Sequence, residues 1–167
     1  LSRNGSYTEA AGVFERLIEN HPNSYEHYFD LAHMYIQTEE YEKAVNLYER
    51  LENKIGLSEN ISMQKYRLFL QLNKKDKATD ELLKLIASAP EKLTHQRSLA
   101  EHYMALGEYD KALGIYETLL EKDPENPEGH FGLARFYYAK GDKEKAFDEL
   151  EKAFSLNGLP LEMKVNV

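Results

Sequence analysis

Alanine recurs every 34 residues along this chain, at Ala10, Ala44, Ala78, Ala112 and Ala146, with no insertion in the series. A period of that length means one supersecondary unit stacked on copies of itself, and it constrains the fold more than any other feature here. The register extends beyond the alanines. Four residues later stand Phe14, Tyr48, Leu82, Tyr116 and Leu150, and three further on Leu17, Leu51, Leu85, Leu119 and Ala153. Three residues before each alanine are Tyr7, Tyr41, Lys75, Tyr109 and Lys143. A second stripe holds Leu31, Lys65, Leu99 and Leu133, then Ala32, Tyr66, Ala100 and Ala134, with Tyr35, Phe69, Tyr103 and Tyr137 beyond them.

Spacings of three and four put these residues on one side of a helix, so each repeat reads as two helices. The pattern predicts first helices near 25–37, 59–72, 93–106 and 127–140, and second helices near 7–19, 41–54, 75–88, 109–122 and 143–156. Gly107 and Gly141 separate the two, and Gly5 is expected to do so in the N-terminal partial repeat; Glu39 and Asn73 hold the same place elsewhere. Pro22, Gly56, Pro90, Pro124 and Gly158 close the repeats, since neither residue type readily continues a helix. No period-two alternation of useful length occurs, so no sheet is expected. Alanine at a crossing lets helix axes approach toward the short end of a range of about 8–10 Å.

One hairpin cannot bury its own stripe. The expected fold is therefore all-α, a right-handed superhelical solenoid of antiparallel helix pairs with a concave inner face. The array covers 1–158, as a partial repeat 1–24 and full repeats 25–58, 59–92, 93–126 and 127–158. Residues 159–167, with Leu159, Leu161, Met163, Val165 and Val167, read as the start of a further helix or a tail. Leu1 falls at the place of the first-helix aromatic, so the chain is expected to begin mid-repeat. Apolar ends without a polar cap predict end-to-end self-association.

Composition removes several classes of function. A net charge of −8 disfavours nucleic acid, whose phosphates need basic partners. No apolar run is long enough to span a bilayer. Without cysteine there are no disulfides, thiolate metal sites or cysteine nucleophiles. The six histidines include no pair spaced i,i+4 and no His-Glu-x-x-His, so no metal site is expected. His95 and His102, seven apart on one helix face, read as exposed or half-buried imidazoles. The stretch 123–129 is rich in Asp, Glu and Asn but lacks the alternation of a calcium loop, and reads as a turn. No phosphate-binding glycine loop or nucleophile elbow is present, so no catalytic residue and no cofactor is assigned.

The segment Leu93–Asn126, with its Leu-Ala-x-x-Tyr, Gly-x-Tyr-x-x-Ala, Ala-x-x-x-Tyr and closing proline, resembles the tetratricopeptide repeat (TPR), as does Tyr25–Ser58. Lys65-Tyr66 departs from the Leu-Ala of that pattern, and a tyrosine at so close a contact is expected to push its helix outward. The resemblance implies a piece of a longer bacterial TPR protein, with cytoplasm and periplasm or envelope both open. It implies a groove built by the first helices, which places Phe29, His33, Met63, Arg67, Leu70, Arg97, Glu101, Phe131, Arg135 and Tyr138 on the inner face. The twenty groove places carry Arg67, Arg97 and Arg135 against Glu26, Glu101 and Glu128, a balance of zero beside −8 for the chain. Arginine with aromatic residues and methionine is what protein interfaces favour.

The carboxylate clamp of one TPR subclass is not matched here: the corresponding places offer Phe29, His33, Gln64, Thr94 and Ser98, or Met63, Arg67, Ser98, Glu128 and Gly132. The resemblance is to the non-clamp type. The function it implies is a non-enzymatic scaffold that holds an acidic-apolar peptide or helix of a protein partner. A structural spacer within a longer protein is the alternative, and an enzyme with carboxylates in the groove is a third reading from another class.

Overall fold

The computed structural model describes residues 3–156. The expectations for Leu1, Gly158 and Leu159–Val167 lie outside the described residues. Nine helices and no strand occur among those described: α1 (Arg3–Asn20), α2 (Glu26–Gln37), α3 (Tyr41–Ile55), α4 (Glu59–Gln71), α5 (Lys75–Ser88), α6 (Leu93–Leu106), α7 (Tyr109–Lys122), α8 (Pro127–Ala139) and α9 (Lys143–Ser155). Their ends fall within two residues of the periodicity reading, except at the start of α1.

The joints explain that agreement. Each hairpin turns through a left-handed residue at the same register place: Glu39 at φ 60°, Asn73 at 53°, Gly107 at 77° and Gly141 at 83°. One residue on, the backbone N–H reaches back to the aromatic of the first helix. These bonds are Glu40 to Tyr35 O at 2.7 Å, Lys74 to Phe69 O at 2.8 Å, Glu108 to Tyr103 O at 2.9 Å and Asp142 to Tyr137 O at 3.0 Å. This six-to-one closure satisfies carbonyls that the end of a helix would otherwise leave open. At the start of α8, Pro127 takes the first turn, where a missing N–H costs nothing, and the Asn126 side chain accepts from Gly129 N at 2.9 Å. Asn126 also donates to Asp123 at 3.0 Å, so the acidic stretch is occupied with its own turn.

Two details depart from expectation. Gly5 lies inside α1 instead of ending a helix; an internal glycine costs about 1 kcal/mol against alanine and is tolerated where the flanking residues propagate the helix. In α1 the buried residues are Ala11 and Ile18, while Ala10, Phe14 and Leu17 are half-buried. The reason is coverage. Helix α3 is flanked by α2 and α4, so Ala44 and Val45 are both buried, whereas α1 packs chiefly on α2.

The chain divides into two compact units, Leu1–Glu81 and Leu82–Val167. In the N-terminal unit α1 packs on α2, α2 on α3 and α3 on α4, around Tyr28, Leu31, Ala32, Ala44, Tyr48, Leu51 and Ile61. In the C-terminal unit α6 packs on α7, α7 on α8, α8 on α9 and α6 on α8, around Ala100, Ala112, Tyr116, Leu119 and Leu133. The Tyr116 ring lies so close to α8 that a Cβ added to Gly132 would stand 2.2 Å from it. Only glycine leaves that room.

Candidate functional site

Each register place assigned to the expected inner face can be followed to its surroundings. In the N-terminal unit, Phe29 is half-buried and its ring packs 5.7 Å from that of Tyr48, so part of its apolar surface belongs to the core. His33 is exposed, Met63 half-buried, Arg67 exposed and Leu70 39% exposed. In the C-terminal unit, Phe131 is half-buried, Arg135 exposed and Tyr138 71% exposed. Arg97 is held in place. It pairs with Glu101 at 3.7 Å on its own helix and, more closely, with Glu128 on α8, which ties α6 to α8.

In the C-terminal unit Tyr116 is buried, and its hydroxyl has no hydrogen-bond partner among the described residues. Burial pushes this phenol up to about 12; Glu101 adds to the shift, and Arg135 and Arg97 oppose it. Arg67 and Arg135 make no ion pair among the described residues. They occupy the same register place two repeats apart, and each has an exposed apolar residue three positions on, Leu70 and Tyr138. Cation and apolar residue thus share one helix face in both units.

The periodicity reading missed three arrangements. The first is a lysine over the aromatic that caps each hairpin: Lys43 over Tyr35 at 5.2 Å, Lys77 over Phe69 at 5.6 Å, Lys111 over Tyr103 at 5.0 Å and Lys145 over Tyr137 at 5.3 Å. Three of these lysines also pair with an acid at the turn, Glu40, Glu108 and Asp142. The four lysines are themselves 34 apart, so the signal was present in the sequence. In the second repeat the turn residue is Lys74, which pairs instead with Glu42 at 3.3 Å.

The second is a buried ion triad. Lys65, 1% exposed, lies 2.7 Å from Glu52 and 3.0 Å from Glu81. Other repeats fill the first place with leucine and the second with Ile18, Ile86, Leu120 or Phe154, while the third holds Val13, Leu47, Ile115 or Glu149. Tyr66, the neighbouring departure, packs half-buried on the core. The third is His130, whose ring nitrogens face Glu149 at 2.6 Å and Pro124 O at 3.0 Å, with Lys152 on the same carboxylate at 2.7 Å. Burial alone would raise the Glu149 carboxyl, but hydrogen bonds from Lys152 and His130 outweigh it and hold the group below the usual carboxylate value.

His95 and His102 correct the reading that they are exposed or half-buried, for they are only 5% and 2% exposed. Other repeats place Met34, Leu68 and Phe136 at the position of His102, so that imidazole stands where the repeat needs core volume, whereas the place of His95 varies among His27, Ile61 and Gly129. Among the described residues no cluster of three histidines or acids could hold a metal ion. No described helix is long and apolar enough to cross a membrane.

The tetratricopeptide repeat family model matches residues 65–118 and 97–155, together more than half of the chain. A model described as anaphase-promoting complex, cyclosome, subunit 3 matches residues 3–85. Among curated proteins no sequence matches. Among solved structures, MamA is 20% identical with a TM-score of 0.66, over 90% of this chain and 88% of that one. MamA 41-end from Desulfovibrio magneticus is also 20% identical, with a TM-score of 0.65 over 92% and 87%. YrrB, described as a TPR protein with an unusual peptide-binding site, is 18% identical with a TM-score of 0.62 over 94% and 81%. At such identities the likeness is one of fold. With the 34-residue period, the repeated hairpin closure and the family match in agreement, the chain belongs to the tetratricopeptide repeat family and is an all-α protein-interaction scaffold.

Proposed function

We propose that the first-helix faces bind a peptide or helix of a protein partner that presents a carboxylate beside an aromatic or aliphatic residue. One observation carries this reading. Arg67 with Leu70 on α4, and Arg135 with Tyr138 on α8, repeat the same exposed cation–apolar pair, and neither guanidinium is neutralised among the described residues. A guanidinium binds carboxylate through two parallel hydrogen bonds, and the neighbouring apolar surface excludes water from them. Arg97 takes no part in recruitment, because Glu101 and Glu128 already occupy it. Phe29 and Met63 contribute edges of half-buried side chains. The peptide-binding site named for YrrB, a protein of like fold, supports the class of ligand and not the residues.

The test is selection from a random peptide display library on the wild type and on the double variant Arg67→Glu, Arg135→Glu. Wild type should enrich sequences that pair Asp or Glu with an aromatic or aliphatic residue, and the variant should lose them at unchanged helicity. Equal enrichment on both proteins would remove the proposal and leave the structural spacer reading in front.

A further inference from the structure

A recess lies in the N-terminal unit, on the side of α2 away from Phe29 and His33. Its floor is Leu31 and Tyr35 of α2, with Ile18 of α1 and Leu47 of α3; its volume is about 310 Å³. That is near the lower end of the ~300–1,000 Å³ typical of ligand clefts. The walls differ in charge. Helix α1 contributes Glu15 and Glu19, and α3 contributes Lys43, Asn46 and Arg50.

Some of these groups are already engaged. Glu15 accepts from the Tyr35 hydroxyl at 2.5 Å, and Lys43 pairs with Glu40 above the Tyr35 ring. Glu19, Asn46 and Arg50 are exposed and make no hydrogen bond or ion pair among the described residues. Glu19 and Arg50 line one recess without meeting each other. A carboxylate and a guanidinium held apart across an apolar floor are complemented by an occupant that carries the two opposite charges on either side of an apolar residue.

We propose that this recess is a second interaction surface, which docks a helical segment of a protein partner. The segment presents one aliphatic side chain, with a basic residue three positions to one side and an acidic residue three positions to the other. On a helix those spacings flank the central residue on both sides of the contact stripe. The aliphatic group enters above Ile18, Leu31 and Leu47, the basic residue meets Glu19, and the acidic residue meets Arg50, with Asn46 free to hydrogen-bond the carboxylate. The floor residues are themselves buried, so the charges set specificity here more than affinity. This surface is independent of the Arg67 and Arg135 faces, and either reading can fail alone.

The experiment titrates the isotope-labelled protein with an acetylated, amidated alanine-based helix carrying Lys, Leu and Glu three residues apart. Signals of Asn46 and Leu47 should shift, with weak but saturable affinity. Replacing the peptide Leu by Ser, or its Glu by Lys, should weaken binding by about tenfold or more. Arg50→Glu alone should do the same, while Glu19→Arg combined with Arg50→Glu should restore binding to near the wild-type level, the peptide docking end for end. Both substitutions are on exposed residues, so helicity should not change. Absence of shifts at α1 and α3 with millimolar peptide overturns the proposal. So does indifference to Arg50→Glu, or failure of the double exchange to restore binding. Shifts confined to the residues around Arg67 and Arg135 would assign the peptide to the first-helix faces and also overturn it.

Discussion

At the leucine place of the first helix, the N-terminal unit carries Lys65 on α4 beside a repeat that keeps Leu31, whereas both repeats of the C-terminal unit keep leucine, Leu99 on α6 and Leu133 on α8. Lys65, Leu99 and Leu133 are buried, at 1%, 6% and 7% exposure. The charged solution needed two further acids: Glu52 on α3, at a place that other repeats give to aliphatic or aromatic residues, and Glu81 on α5, at a place that holds Val13, Leu47 and Ile115 but also Glu149. The C-terminal unit keeps its ionic contacts nearer the surface. Glu149 occupies the place of Glu81, is 13% exposed, and meets His130 and Lys152 there. The repeat therefore prescribes volume and burial at each place. The chemistry can change when the partners across the helix crossing change with it.

That comparison can be broken most sharply at the triad. Lys65→Met alone removes the cation that Glu52 and Glu81 share and should destabilise by about 3–5 kcal/mol. The triple replacement Lys65→Leu, Glu52→Ile and Glu81→Leu should be neutral or more stable by up to about 4 kcal/mol. Urea denaturation of the two variants measures both. Equal midpoints would mean that the ion triad behaves as ordinary packing.

In the C-terminal unit the corresponding weak point is close packing. Gly132→Ala drives a methyl into the Tyr116 ring and should cost about 1–3 kcal/mol. Gly114→Ala, in α7 with no atom within 4 Å of the added Cβ, should gain up to about 1 kcal/mol from helix propensity. Opposite signs in guanidinium melts are the expected result; a shared sign would refute the account of the α7–α8 contact.

The surface cluster should respond to pH more than to mutation at neutral pH. Because the folded-state Glu149 carboxyl lies below its ordinary value of 4.5, it is stabilising above that value, and the benefit is lost as pH falls through the folded value. Glu149→Gln should cost at most about 1 kcal/mol near neutrality, since the group is partly solvated. Thermal midpoints of wild type and variant should converge in acid. A constant offset across the acid range would show that the contact is not ionic.

The smallest effect is at the hairpin turn. Glu39 sits at φ 60° where the C-terminal unit uses Gly107 and Gly141. Glu39→Gly should stabilise by a few tenths of a kcal/mol up to about 1, because left-handed backbone costs a side-chain-bearing residue about 1–2 kcal/mol and glycine's entropy returns part of the gain. Differential scanning calorimetry would detect it, and a loss of stability would place the strain elsewhere.

The helices were legible in the sequence because their causes are local. Apolar spacing sets the buried stripe, and one left-handed residue ends each first helix, so the 34-residue period carried element type and boundaries almost unaided. The same period marks more than the apolar stripe: the lysines at 43, 77, 111 and 145, and the core duty of His102, both follow from register places. Tertiary structure alone decided the rest. Lys65 could be buried only because Glu52 and Glu81, 13 and 16 positions away, converge on it across three helices. Arg97 is neutralised by Glu128 from another helix, a contact that spacing along one helix cannot express. The recess of Glu19, Asn46 and Arg50 likewise exists only where α1 and α3 flank α2. Periodicity fixes which face of a helix is turned inward, and the partner that meets each side chain there depends on how separate helices come together.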